Sequence, residues 1–202
     1  MKIKTDTDTA KKAGLDYTPQ RGVGRHLAYG IASREKCGRR QTAHAIVSRR
    51  LENFGSVHDP LAGPPTCSRH DILIPEHAPD HCADYRAICD HYETQALPHQ
   101  TDLVGVLTLR FPHHAARHRM WEQARAFLLE KVVGARLLPT VMVLHRPAIA
   151  ARPHPPHIHA LIFLRTLDGP DFGPFDQSLT GPDARATLLA EWDAWASAGL
   201  VR

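Results

Sequence analysis

Residues 137–165, LLPTVMVLHRPAIAARPHPPHIHALIFLR, decide how this chain is read. Two apolar runs, Leu137 to His145 and His157 to Arg165, are joined by the proline-rich loop RPAIAARPHPP, a pattern that predicts adjacent antiparallel strands. Side chains alternate faces along a strand, so His157 and His159 point the same way while Ile158 packs on the other side. Antiparallel pairing sets the end of the first strand beside the start of the second, which brings His145 to the same pair. Three imidazoles then converge. Neutral imidazole is the commonest side-chain metal ligand, and three of them leave coordination positions open for water or substrate, whereas a structural site is more often closed by four ligands. His154, in the connecting loop, could be a fourth ligand, a phosphate contact or neither. The chain holds 15 histidines, so an HxH pair alone means little; the strand, proline loop and strand around it make the arrangement specific.

Working outward, the turn LDGPDFGPFDQ leads to a last helix expected from near Pro182, with Leu188, Trp192 and Trp195 on one face, ending near Gly199. Upstream, a helix is expected from about Ala115 to Val133, with Met120, Trp121, Ala124, Phe127, Leu128 and Val132 as its apolar face. Leu103 to Phe111 reads as a buried strand ending at Pro112. Asp80 is the expected N-cap of a helix over about residues 81 to 96, whose stripe Cys82, Tyr85, Cys89 and Tyr92 marks both tyrosines as core. Asp71 to Ile74 is a short strand stopped by Pro75, and DPLAGPPT before it is a break. From Arg39 to Phe54, Ala43, Ile46, Val47 and Phe54 recur at helical spacing among arginines, giving a basic helix. Residues 1–32 show little periodicity and read as a loose basic arm; residues 33–202 then form a single domain. Strands separated by helices, with at least one hairpin, predict an α+β fold: an antiparallel β-sheet covered by α-helices.

At 202 residues the chain suits one substantial core. Its polar N-terminus and the lack of a long apolar run lead us to expect a soluble, cytoplasmic protein with no membrane partner. Cys37, Cys67, Cys82 and Cys89 include no CxxC pair, which points to core packing rather than zinc or disulfides. The net charge of +4 is unevenly spread: residues 1–50 hold 12 Lys and Arg against 4 acidic residues. That basic quarter, with Arg34, Arg39, Arg40, Arg49 and Arg50, suits contact with a phosphate backbone, or else forms a solvated surface.

Several segments together resemble the catalytic domain of the MobA/MobL relaxases, in the HUH endonuclease superfamily. SRHDILIPEHAPDHCADYRAICDHYE (68–93) is similar to a family stretch in which a strand and an AP pair precede a helix. LTLRFP (107–112) resembles its strand ending in proline, VLHRP (143–147) and PHIHALIFLR (156–165) its metal-binding strands, and RTLDGPDFGPF (165–175) the turn that follows. The likeness spans roughly residues 33–195. It implies metal-dependent nicking of single-stranded DNA at a plasmid transfer origin, by attack of a tyrosine hydroxyl and formation of a 5′ phosphotyrosyl bond. It implies accessory plasmid proteins as further partners, and Mg²⁺ or Mn²⁺ as the working ion. All-imidazole ligation by itself favours Zn²⁺, Ni²⁺ or Cu²⁺, so Zn²⁺ is expected to bind as well.

SREKCGRRQTAHAIVSRR (33–50) resembles the family segment that carries the nucleophile, but Val47 or Ser48 stands where the tyrosine is expected, and Ser48 has no evident neighbouring base. Tyr29 is then the first choice of nucleophile and Tyr17 the second. Arg165, on the His157 face, is a further DNA contact or a solvated strand end. Two other functions compete: a DNA-binding accessory protein of the same fold without cleavage, and a metal phosphodiesterase that uses water.

Overall fold

The computed structural model describes residues 16–36, 38–51, 66–112, 114–150 and 154–199. Cys37 lies outside them. Ten strands, β1 (Thr18–Pro19), β2 (Leu27–Ser33), β3 (Glu35–Lys36), β4 (Arg39–Arg40), β5 (Cys67–Leu73), β6 (Asp102–Arg110), β7 (Thr140–His145), β8 (His157–Phe163), β9 (Arg165–Leu167) and β10 (Phe172–Phe175), occur among them. Six make one sheet in the order β1-β2-β6-β8-β7-β5, every neighbouring pair antiparallel. β3 with β4 and β9 with β10 form two small hairpins. The helices are α1 (Ala43–Leu51), α2 (Tyr85–Thr94), α3 (Arg117–Phe127), α4 (Gln177–Thr180) and α5 (Ala184–Gly199). The fold is α+β, an antiparallel sheet with helices on both faces, as the sequence predicts.

Alternation along the strands sorts the core into two layers. Leu107, Leu109, Met142, Leu144, Ile158, Ala160 and Ile162 face α3 and α5, where Trp121, Phe127, Leu188 and Trp192 are buried. Val104, Val106, Val141, Val143, Leu161 and Phe163 face α1 and α2, against Ile46, Val47, Ile88, Cys89 and Tyr92. In the register of β6 and β8, Val106 lies opposite Leu161 and Thr108 opposite His159. The second layer therefore runs directly into the histidines.

Local details depart from the sequence reading for identifiable reasons. Leu27–Ser33, all but its last residue assigned to the loose arm, is a strand paired along its length with β6. Its LAYGIAS pattern hid this, because Ala28, Gly30 and Ala32 alternate with larger residues and keep one face shallow. A Cβ at Gly30 would lie 2.2 Å from the Thr18 carbonyl oxygen and 2.7 Å from Tyr17 Cδ2, so a glycine lets the preceding chain lie flat on β2. Asp80 opens a 3₁₀ turn, Asp80–Ala83, and Asp84 caps α2 instead, its Oδ1 accepting from the backbone N–H groups of Arg86 and Ala87 at 2.9 Å. The basic helix begins at Ala43, because Arg39 and Arg40 pair with β3. The helix expected from Ala115 to Val133 is α3, continued by a π-helical stretch, Leu128–Gly134. The last helix begins at Ala184, after the separate short α4, which Asp176 caps through Leu179 N–H.

Candidate metal centre and its surroundings

Register puts the three histidines together. His145 lies opposite His157 across β7 and β8, and His159 opposite Val143. Ring centroids are 4.9 Å apart for His157 and His159, 5.1 Å for His145 and His159, and 5.5 Å for His145 and His157. Three imidazoles bound to one ion through a nitrogen at about 2.1 Å have centres roughly 5 Å apart, so the rings are spaced to that order, while the donor atoms that already converge among the described residues belong to another group, His81, Cys82 and His91.

Each ring is oriented through Nδ1. Thr66 Oγ1 is 2.9 Å from His145 Nδ1, Thr108 Oγ1 is 2.9 Å from His159 Nδ1, and the Pro155 carbonyl is 3.1 Å from His157 Nδ1. A carbonyl only accepts, so His157 carries its proton on Nδ1 and its lone pair on Nε2. Such bonds fix the tautomer and plane of metal-binding histidines. Burial lowers the pKa of His157, and it lowers that of His159 well below the ordinary histidine range, with His157, Arg50 and His145 adding to the effect. Both rings are therefore neutral near pH 7, the state that binds a cation. His154 is exposed in the loop.

The orienting threonines and Arg110 were missed in the sequence. Thr108 and Arg110 sit on the histidine face of β6, and Arg110 pairs across to His157. The signal was in LTLRFP: strand alternation puts its Thr and Arg on one side, but which side depends on a partner strand some fifty residues away.

The expected nucleophiles separate. Tyr29 is fully buried in the layer facing α3 and α5, on the opposite side of the sheet from the histidines. Its hydroxyl donates to the Leu179 carbonyl at 2.7 Å, and burial, with Asp102 and Asp176, pushes its pKa up. The structure thus corrects the first choice: Tyr29 cannot reach a phosphate held by these rings. Gly105 makes room for it, since a Cβ there would lie 2.6 Å from the Tyr29 hydroxyl. Gly105→Ala is expected to cost roughly 1–3 kcal/mol of stability by overpacking, seen as a lower melting temperature, and an unchanged thermal melt would remove that role. Tyr17 belongs to the histidine-side layer, at 7% exposure. Tyr92 is fully buried there and packs edge-on against Phe163 and Phe172, as the core reading expects.

Most of the arginines expected to hold DNA are committed elsewhere. Arg34 pairs with Glu93 at 2.9 Å and donates to the Gln100 carbonyl. Arg50 is buried and binds both carboxylate oxygens of Asp16, while Arg49 reaches the same carboxylate at 2.9 Å. Arg165 is buried and donates to the carbonyls of Gly173, Gln95 and Phe172. Arg39 and Arg40 remain exposed. Val47 is buried in the core, and Ser48 Oγ lies 3.4 Å and 3.5 Å from the two ring nitrogens of His44, one helical turn away, over the ring and not in line with either nitrogen.

At the same end of the sheet an open cavity of about 650 Å³ is lined by Ser68, Arg69, Arg117, His118, Trp121 and Arg146 among others. Arg69 stacks over Trp121 at 4.3 Å from the ring centroid. Trp121 and Leu144 in its lining belong to the layer facing α3 and α5, so the cavity opens on the opposite face of the sheet from the histidines, although Arg146 directly follows His145 in sequence.

No protein-family model matches the chain, and no curated protein matches it. Among solved structures, one described as "Molecular Basis of Vancomycin Resistance Transfer in Staphylococcus aureus" is similar, with a TM-score of 0.53 and 17% identity over 65% of this chain and 68% of that one. At that identity the likeness establishes a shared fold.

Proposed function

We propose that this chain is a relaxase-like protein that nicks single-stranded DNA with a divalent ion in plasmid mobilisation or conjugative transfer. The carrying observation is the three-histidine cluster with every Nδ1 hydrogen-bonded. The shared fold, with a protein described in connection with resistance transfer, supports it. His145, His157 and His159 would hold the ion through Nε2, and Mg²⁺ or Mn²⁺, or Zn²⁺ in their place, would supply a Lewis acid for a phosphodiester oxygen.

The chain's own residues do the rest of the work. Thr66, Thr108 and the Pro155 carbonyl keep the rings in plane, and Arg110 stands beside His157 to meet a phosphate. Arg69, Arg117 and Arg146 line the cavity on the other face at the same sheet end, a surface on which a single strand can continue around that end. Tyr17 is the nucleophile in this reading, because it lies in the histidine-side layer and follows Asp16, which anchors Arg50. Arg50 is close enough to depress the pKa of His159. The Tyr17 oxygen would form the bond to phosphorus, the P–O3′ bond would break, and the proton lost by Tyr17 would pass through solvent to the departing 3′ oxygen, leaving a free 3′ hydroxyl.

One observation favours a second reading, DNA binding without cleavage: buried Val47 and half-buried Ser48 occupy the place where the resemblance expects a tyrosine. Labelled single-stranded transfer-origin DNA with Mn²⁺, resolved on a denaturing gel, separates the two. A covalent protein–DNA band that persists in Tyr29→Phe and disappears in Tyr17→Phe and His157→Ala is the expected result. Binding without cleavage would establish the second reading, and cleavage without a covalent band would mean that water attacks.

A further inference from the structure

Cys82 has histidine neighbours of its own. The 3₁₀ turn before α2 and the body of α2 bring His81, Cys82 and His91 together, so that one ligand atom from each lies within 4.8 Å of the other two. The His81 and His91 rings meet edge to face with centroids 4.8 Å apart. His91 Nε2 is 2.8 Å from the Pro170 carbonyl oxygen, which can only accept, so Nε2 carries the proton and Nδ1 keeps the lone pair. That is the outer bond that orients a metal-binding imidazole. The thiol is fully buried while His81 is exposed, so the three residues lead from solvent to sulfur.

A thiolate with two imidazoles is a softer donor set than three imidazoles, and it suits Zn²⁺ far better than Mg²⁺ or Mn²⁺. We propose that His81, Cys82 and His91 form a second metal site, for a soft divalent ion of the Zn²⁺ class, with water in the fourth position. Binding exchanges the S–H bond for a sulfur–metal bond, the proton leaves to solvent, and no redox change occurs. The ion would staple the turn that starts α2 to the later part of that helix, and through His91 and Pro170 to the loop joining β9 and β10. Cys82 thus combines core packing with ligation. The site shares no residue with the three-histidine cluster and stands whether or not the chain cleaves DNA.

The test is a Co²⁺ titration of the full, reduced chain, read by the near-ultraviolet charge-transfer band that only a sulfur ligand produces. The band is expected in the wild type and in His157→Ala, and is expected to be absent in Cys82→Ser. His81→Ala, at an exposed position that leaves folding intact, is expected to weaken Co²⁺ binding by roughly tenfold or more, since even outer-shell changes cost that much. Zn²⁺ should displace the Co²⁺ and raise the melting temperature of the wild type more than that of His81→Ala. No band in the wild type, a band unaffected by His81→Ala, or a band that survives Cys82→Ser and vanishes in Cys67→Ser overturns the site. The last outcome would place the ion beside His145, which pairs with Cys67.

Discussion

Replacing His159 with alanine is expected to reduce metal-dependent cleavage by at least about 100-fold, because losing a direct ligand should cost no less than losing the residue that orients it. His159 is central to the cluster, within about 5 Å of both other rings by centroid and held by Thr108. Thr108→Val, which keeps the shape and removes the hydroxyl, is expected to weaken metal binding by roughly 10- to 100-fold and leave the fold intact. A calorimetric titration with Mn²⁺ reads both. Equal affinity in the wild type and His159→Ala would disprove ligation by this ring.

The same residues set a pH dependence in the metal-free protein. His157 and His159 have folded pKa values below the unfolded value of about 6.5. Between the two, the unfolded chain binds more protons, so stability rises with pH, by up to about 1.4 kcal/mol per pH unit for each histidine. Their contribution is complete above pH 6.5 and is lost on acidification below it. Melting temperature should therefore fall between pH 6.5 and 5, and should fall less in a His157→Ala, His159→Ala double variant. Identical slopes would show that other groups dominate.

What the sequence made legible was what strand periodicity controls directly. HIHALIF alternates cleanly, and one hairpin is enough to bring His145 opposite His157. The stripe on α2 placed Cys89 and Tyr92 in the core for the same reason. What stayed hidden depends on contacts between distant segments. β2 carries small residues where the preceding chain lies against it, so its strand signal is faint, and its partner β6 begins about seventy residues later. The arginines misled because a charge run shows where cations are but not which have internal acceptors. Glu93, Asp16 and the Gly173 carbonyl lie at 59, 34 and 8 residues from Arg34, Arg50 and Arg165. Tyr29 was misplaced because its face of the sheet follows only from pairing with Leu107.

Asp16 provides the largest expected effect on stability. Its carboxylate, 8% exposed, meets the buried Arg50 guanidinium through two oxygens and Arg49 through one. Burial alone would raise the pKa of Asp16, but hydrogen bonds and charge from Arg50 and then Arg49 outweigh it and hold the pKa down. Asp16→Ala leaves the Arg50 cation buried with, among the described residues, the Ile46 carbonyl as its remaining acceptor. Breaking a buried pair from one side costs about 3–5 kcal/mol, and urea unfolding of the variant should show a loss of that size. A loss under about 1 kcal/mol would mean that Arg50 swings out to water instead. The pair's contribution is present above the unfolded carboxylate pKa of about 3.9 and disappears as pH falls through the lower folded value, so the wild type and Asp16→Ala should converge in acid. Because Asp16 also anchors the segment carrying Tyr17 to α1, the variant tests position as well as stability. If Tyr17 is the nucleophile, Asp16→Ala should lose covalent attachment at temperatures where circular dichroism still reports a folded chain, while Mn²⁺ affinity at the histidines stays near the wild-type value. Retained attachment in the folded variant would move the nucleophile away from Tyr17.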